Sequence, residues 1–323
     1  MKKIIALILA LVMVLCVFAS CGEKQNENEN EKKDSVKVGI AAPDVTHGWV
    51  AGVAYYAEKY CKDNGIEYKI TTSSDAAEMA ANLNDLTTTW GADVIVTWPQ
   101  WSGMEDAVQE ILDQGIPVVD FDVDIACEGI HKVTGNNFDM GYQSAKYIVE
   151  KVGEAANIAV LDVPSSGSVA ALRKEGFYKY LDEIGYDKTN IFEVSEEGFS
   201  RDISLKDMTD ILETHSKVDA VFSMDDESSI GAILAITEAG RTDIKAITGG
   251  GGMQEYFKMM LDEQYDELGL ASATYSPSMV EEAIKAAISL YEGKTCDDVV
   301  IIPTTIVTKE NAEQFIDENN KVY

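Results

Sequence analysis

Tryptophan and aspartate side chains recur just after the apolar runs of this 323-residue chain. Trp98 and Trp101 follow the run Asp93–Val96, and Asp122 follows a second run that ends at Phe121. An aromatic face packs against the C–H groups of a sugar ring, and an ionised carboxylate accepts strong hydrogen bonds from hydroxyls. A polyol is the simplest ligand that uses both chemistries. The side chains placed in this way are Asp44, His47, Trp49, Trp98, Trp101, Asp120, Asp122, Asp124, Phe199, Asp225, Asp226 and Tyr275.

These side chains do not form a recognisable catalytic or metal site. A pair such as Asp122 and Asp225 could cleave a glycoside only at a set separation, and no Gly-x-Ser-x-Gly nucleophile motif is present. The aspartates at 120, 122 and 124 open like a calcium loop, but Ile125 stands where that loop needs Gly and His131 where it needs Glu. We therefore predict a binding protein without enzymatic activity, metal or cofactor.

Short apolar strands alternate with amphipathic helices from Val36 onward. Alternation at this length is typical of parallel sheets with helices on both faces. The pattern restarts near residue 139, so the chain is expected to hold two doubly wound α/β units. In such sheets the ligand lies beyond the carboxyl ends of the strands, which is where the aromatic and acidic residues fall. The predicted strands begin at residues 36, 67, 93, 116, 157, 190, 218, 244 and 268, and an extended tail covers 299–307.

The N-terminus has the layout of an export signal. A basic start, an apolar run over residues 4–18 and the small pair Ala19-Ser20 precede Cys21, so residues 1–20 are predicted to be a signal peptide. The sequence Phe18–Gly22 resembles a bacterial lipobox, in which the cysteine is lipidated. Residues 21–35 are polar and are predicted to form a flexible tether. A plain secreted N-terminus without lipid is the alternative.

Charge and cysteine content exclude other classes of function. The chain has 26 Lys and Arg against 56 Asp and Glu, a net charge of −30, which disfavours nucleic-acid binding. Once Cys16 and Cys21 are assigned to the leader and the anchor, Cys61, Cys127 and Cys296 form an odd set without close spacing. No disulfide framework or metal site is predicted from them.

Several segments together resemble the sugar-type periplasmic binding proteins of bacterial ABC importers, the ribose- and galactose-binding group. The resemblance covers residues 36–307, and its strength lies in the order and spacing of the segments. They are 39–43 with His47-Gly48-Trp49, 115–119 leading to Asp122, 135–137, 173–177, and 222–227 with Gly231-Ala232.

The resemblance implies two lobes joined by three crossovers, with the ligand in the cleft between them. It implies an N-terminal lobe of residues 36–134 plus 276–304 and a C-terminal lobe of 135–275 plus 305–323. By position it assigns ligand contacts, and with the two tryptophans after the third strand the predicted site is His47, Trp49, Trp98, Trp101, Asp122, Asn137, Phe199, Asp225 and Tyr275. Arg173 is interpreted as a support for its helix or a lobe surface.

Two departures from the ribose-binding pattern bear on the ligand. Val123 and Ala171 stand where ribose-type members carry arginine, and glycines 249–252 replace a loop that usually supplies aspartate. A pocket poorer in guanidinium and richer in carboxylate suits a larger pyranose, a glycoside or an amine. The resemblance implies a monomeric, lipid-anchored, extracytoplasmic receptor that delivers a sugar to an ABC permease and its ATPase. The alternative is a sensor that presents a nucleoside, an aminated compound or a furanose-like signal to a membrane receptor.

Overall fold

A computed structural model of the chain describes residues 36–45 and 48–323, in which strands and helices alternate. The strands are β1 (Lys37–Pro43), β2 (Glu67–Ser73), β3 (Val94–Thr97), β4 (Val118–Phe121), β5 (His131–Gly135), β6 (Ile158–Asp162), β7 (Ile191–Ser195), β8 (Ala220–Ser223), β9 (Ala246–Gly251), β10 (Leu270–Thr274), β11 (Val299–Ile302) and β12 (Ile306–Thr308). The helices are α1 (Gly48–Asp63), α2 (Ala76–Asn84), α3 (Glu105–Asp113), α4 (Asn137–Val152), α5 (Ser168–Glu183), α6 (Arg201–Thr214), α7 (Asp226–Glu238), α8 (Gln254–Leu261) and α9 (Val280–Tyr291).

Two six-stranded sheets organise residues 36–323. Their strand orders are β11-β5-β4-β3-β1-β2 and β12-β10-β9-β8-β6-β7. Every strand pair is parallel except β10 with the edge strand β12, which is antiparallel. The predicted α/β class with two doubly wound sheets is therefore confirmed. Because helices cover both faces, central strands such as β3 are buried at every residue.

The chain passes between the two sheets three times. It does so after β5, after β10 and between β11 and β12, and α9 returns to pack against β3 and β4. The lobe boundaries near Gly135, Tyr275 and Thr305 remain our proposal. Within the described residues no helix is long and apolar enough to cross a membrane, and Cys61, Cys127 and Cys296 are free thiols.

Helices α4 and α5 approach closely because each has a glycine at the contact. A Cβ at Gly141 would lie 1.7 Å from the Arg173 carbonyl oxygen, and one at Gly176 would lie 1.9 Å from the Phe138 carbonyl oxygen. Backbone therefore packs directly on backbone at this crossing. The packing fixes the height of Arg173 on α5 relative to Asn137 at the start of α4.

Two local features differ from the sequence prediction. Strand β5 is not predicted from the sequence, because HKVTG begins with two polar residues and lacks a continuous apolar run. In the structure these first two residues are half-buried. The glycines at 249–251 were expected in a loop but form the end of β9. They pair with the parallel strand β10, and the hydrogen bonds of this pairing outweigh the low strand propensity of glycine.

Candidate functional site

A cavity of about 800 Å³ lies between the carboxyl ends of the two sheets. Its size is within the range of small-molecule sites. Asn137 is not among its lining residues, and His47 and Cys21 lie outside the described residues. The predicted site residues that line the cavity are Trp49, Trp98, Trp101, Asp122, Phe199, Asp225 and Tyr275.

The floor of the cavity is a packed aromatic cluster. The Trp49 ring lies 5.2 Å from Trp98 in an edge-to-face arrangement and stacks on Phe121 at 6.0 Å. Trp49 Nε1 donates to the Tyr275 carbonyl oxygen at 2.7 Å, so its polar atom is already bound within the protein. Both indoles are buried, at 7% and 6% exposure. Trp49 and Trp98 therefore act both as core residues and as the surface on which a ligand would rest.

Trp101 and Phe199 form the more accessible aromatic walls. Both are half-buried, and they come from opposite sides of the cavity, Trp101 after β3 and Phe199 before α6. The two tryptophans that follow β3 thus differ in their surroundings. Trp98 packs into the main core cluster, whereas Trp101 keeps part of its ring free toward the cavity.

Trp98 also carries an unpaired polar atom. Its Nε1 is buried and has no hydrogen-bond partner within residues 36–45 and 48–323. An unpaired indole N–H costs free energy when it is removed from water. A ligand oxygen in the adjoining cavity is one group that could satisfy it.

Asp122 and Tyr275 meet at the junction of the two sheets. The Tyr275 hydroxyl donates to Asp122 Oδ1, lies 3.1 Å from Thr134 Oγ1 and is 3.3 Å from Asn137 Nδ2. Asp122 has a positive φ of 75°, which is uncommon for a residue other than glycine. The Thr134 hydroxyl donates to the Asp122 carbonyl oxygen at 3.0 Å and holds this conformation. One hydroxyl thus ties residues from β5, α4 and the β4 loop together.

Arg173, which the sequence analysis interprets as a support for its helix or a lobe surface, is buried and lines the cavity. It is 5% exposed, donates from Nε to Asn137 Oδ1 at 2.9 Å and from Nη1 to the Met224 carbonyl oxygen at 2.6 Å. Its guanidinium also lies 4.7 Å from the centre of the Tyr275 ring. Gly176, three residues later on the same helix, is the sequence signal for close helix packing and thus for the burial of Arg173. Asn137 therefore contacts Arg173 and Tyr275, and we propose that it positions them.

Asp225 and Asp226 begin α7 at the edge of the cavity. Asp225 caps the helix by accepting from Ser228 N at 2.8 Å, and it lines the cavity. Asp226 is fully buried and accepts from Gly252 N and Met253 N, each at 2.8 Å. The glycine run allows this approach, because a Cβ at Gly249 would lie 2.6 Å from Asp226 Oδ1.

Burial raises the pKa of several carboxyl groups at this edge. Loss of solvent raises the pKa of Asp225 to about 6 and that of Asp226 to about 7, although hydrogen bonds from backbone N–H groups oppose both shifts. Burial also raises the pKa of Asp122, opposed by the Tyr275 hydrogen bond and by Arg173. Behind it, burial raises the pKa of Asp120 to about 8, against the attraction of Lys132. The site therefore changes its charge between mildly acidic and neutral pH.

Two mainly parallel sheets are connected by three chain crossings, and a ligand-sized cavity lies between their carboxyl ends. This arrangement is typical of a two-lobed binding protein. Comparison with known proteins identifies the family. A model of the periplasmic binding protein domain matches residues 38–295, and the chain belongs to that family. The predicted resemblance is thereby confirmed, and so is the prediction of a binding protein rather than an enzyme.

Individual relatives are similar in sequence to this chain over most of its length. The ribose import binding protein of Bacillus subtilis is 25% identical over 96% of this chain and 100% of its own length. The galactofuranose-binding protein of Escherichia coli is 24% identical over 88% of this chain and 92% of its own. A solute-binding protein from Actinobacillus succinogenes with bound D-allose shares the fold, with a TM-score of 0.77 and 20% identity over 87% of this chain and all of its own.

Proposed function

We propose that this protein is a lipid-anchored extracytoplasmic receptor that captures a sugar in its interlobe cavity and delivers it to an ABC importer. The observation that carries the proposal is the composition of the cavity wall. Aromatic rings from the first sheet and carboxylates from both sheets converge on one volume of about 800 Å³. Rings pack on the C–H face of a sugar, and carboxylates accept from its hydroxyls.

We propose a pyranose or related polyol as the ligand. A cavity of about 800 Å³ lies toward the upper end of the usual range, which favours a hexose or a glycoside over a pentose. Relatives named for ribose and galactofuranose, and a structural neighbour with bound D-allose, support the sugar class without fixing the ring form. The ring would rest against Trp101 and the edge of Trp98, with Phe199 on the opposite side.

Ligand binding is proposed to favour closure of the two lobes. A ligand can shift an open–closed equilibrium only by contacts that exist in one state and not the other. Here Trp101 and Asp122 follow strands of the first sheet, whereas Phe199 and Asp225 follow strands of the second. A ligand that contacts both pairs therefore stabilises the closed arrangement, and the three chain crossings act as the hinge.

A ligand screen tests the proposal. Residues 36–323 form a compact unit and can be assayed alone. A thermal-shift screen would use monosaccharides, polyols, nucleosides and amines, and ligand at 100 times its dissociation constant adds about 2.7 kcal/mol of stability. Stabilisation by a hexose and its close relatives, abolished in Asp225→Ala, is the expected result. A protein that no sugar stabilises would contradict the proposed function.

The anchor requires a separate experiment. We propose that Cys21 carries lipid after removal of residues 1–20 and that the protein acts as a monomer. Full-length protein expressed in a bacterial host and labelled with an alkyne fatty acid should incorporate the label, and Cys21→Ser should abolish it. Unlabelled wild-type protein released into the medium would favour the plain secreted form.

One observation favours an aminated ligand as the second candidate. Among the described residues that line the cavity, five are carboxylates and one is a guanidinium: Glu105, Asp122, Asp124, Glu197, Asp225 and Arg173. An excess of negative charge attracts a cation, and the attraction weakens with salt. Stabilisation by an amino sugar or a nucleoside in the same screen, with neutral hexoses inactive, would support the sensor that presents such a compound to a membrane receptor.

A further inference from the structure

Residues 317–323, which we call the strap, run from one lobe to the other. At the start of the strap, Asp317 N donates to Gln254 Oε1 at 2.7 Å, which attaches it to α8 beside the second sheet. Further along, Asn320 Nδ2 donates to the Tyr56 hydroxyl on α1 at 2.8 Å, 264 residues away in sequence. The strap is therefore a further connection between the lobes, in addition to the three crossings.

The strap places Tyr323 in the ligand cavity. Asn320 Oδ1 accepts from Val322 N at 3.0 Å and from Tyr323 N at 3.1 Å, which folds the strap back on itself. Tyr323 is 4% exposed and lines the same cavity as Trp49 and Asp225. Asn320 therefore fixes both the contact with α1 and the position of the Tyr323 ring.

Three glycines make room for this ring. A Cβ at Gly48 would lie 3.2 Å from Tyr323 Cδ2, and one at Gly52 would lie 3.2 Å from Tyr323 Cβ. On the other lobe, a Cβ at Gly251 would lie 2.1 Å from the Tyr323 hydroxyl oxygen. Glycine on both α1 and β9 thus leaves a slot that the tyrosine fills. The hydroxyl lies above Gly251, where the backbone offers no side chain to the cavity.

We propose that Tyr323 is a specificity-determining residue of the ligand cavity and that the strap couples it to the relative position of the two lobes. The ligand part rests on the proposed sugar-binding function, with the hydroxyl contacting an oxygen of the sugar. Burial, and then the charges of Asp226 and Asp225, hold the Tyr323 pKa well above its usual value, so the group stays a neutral hydrogen-bond donor. A ligand-induced movement of either lobe changes the slot that holds the ring.

Binding measurements test the ligand part. Full-length wild type, Tyr323→Phe and the control Tyr291→Phe, whose ring is exposed, would be titrated by calorimetry with the sugar that gives the largest thermal shift. Loss of one buried hydrogen bond weakens binding by about 10-fold in Tyr323→Phe. The order of affinity among epimers should change as well, whereas Tyr291→Phe should match wild type. Equal affinities and equal epimer order in all three proteins would overturn this part while leaving the proposed function intact.

Hydrogen exchange tests the strap without any ligand. In Asn320→Ala, the amides of residues 49–53 and 249–253 should exchange about five-fold faster. The reason is that the strap, whose Tyr323 packs against both segments, has lost its hydrogen bond to Tyr56. Tyr56→Phe should accelerate the same amides, and Tyr55→Phe is the matched control on the same helix. Unchanged exchange rates of these amides in Asn320→Ala would overturn the proposed coupling through the strap. If no sugar binds wild type, the proposed function fails, and the exchange experiment still tests the coupling through the strap.

Discussion

Replacement of Asp120 by asparagine should make the protein more stable at neutral and alkaline pH. Asp120 is 1% exposed, and its Oδ1 has no hydrogen-bond partner within the described residues. Burial raises its pKa to about 8 from an ordinary value of 3.8, with attraction to Lys132 opposing the shift. The carboxyl is therefore neutral in the folded protein at pH 7 and ionised in the unfolded chain. Asparagine resembles that neutral form in shape and does not ionise.

The sign and size of the effect follow from proton linkage. Below pH 3.8 Asp120 is protonated in both states and its contribution to stability is complete. As the pH rises, the unfolded chain loses the proton and the folded protein keeps it, so stability falls by about 1.4 kcal/mol per pH unit until about pH 8. Between pH 5 and pH 8 wild type should therefore lose roughly 4 kcal/mol relative to Asp120→Asn.

Urea denaturation at several pH values between 5 and 9 measures this difference. Asp225, Asp226 and Glu196 also have raised pKa values, but they are present in both proteins and largely cancel in the comparison. Asp113→Asn removes an exposed carboxyl from α3 and controls for the change in net charge. A difference between wild type and Asp120→Asn that is the same at pH 5 and pH 8 would refute the reasoning.

Three further perturbations test the site and its support. Asp225→Asn should weaken sugar binding at pH 7, and its affinity should not fall as the pH drops through the Asp225 pKa of about 6, as wild-type affinity is expected to do. Asparagine keeps the helix cap, and a variant whose affinity by calorimetry still depends on pH in this range would contradict the prediction. Gly176→Ala should cost about 3 kcal/mol in urea denaturation because its Cβ meets the Phe138 carbonyl, whereas Gly198→Ala, with open space, should stay within about 0.5 kcal/mol. Tyr275→Phe should cost about 1–3 kcal/mol by leaving Asp122 without its donor, and a smaller loss in the same assay would show that the hydrogen bond adds little.

The architecture was predictable from sequence because its signals are local. Strands such as β3 and β6 are short apolar runs that are buried at every residue, and a run of this kind between amphipathic helices favours a parallel sheet. Ligands bind at the carboxyl ends of the strands in such sheets, so the sequence also indicates at which end of each sheet the cavity lies. Seven of the nine predicted site residues line the cavity for this reason.

The remaining parts of the site depend on contacts between distant segments. Nothing in the sequence around Asp122 signals its positive φ, which depends on a hydrogen bond from Thr134. Tyr323 is held at the cavity through Asn320, which accepts from Tyr323 N and pairs with Tyr56, 264 residues earlier. Periodicity and turn signals carry no information about such pairs, since they describe a residue and its neighbours along the chain.

The hydrogen bonds already made within the cavity wall indicate what kind of ligand it can take. Two Arg173 nitrogens donate to Asn137 and the Met224 carbonyl, and the Trp49 N–H donates to the Tyr275 carbonyl. These donors are occupied and the Trp98 N–H is unpaired among the described residues, whereas five carboxylates offer acceptor oxygens to the cavity. Because an acceptor-rich wall is satisfied by a ligand with many donors, a polyhydroxylated molecule fits it better than an anion such as a sugar phosphate. Neutral sugars and amines therefore belong in the screen as candidate ligands, and phosphorylated sugars belong in it as the negative control.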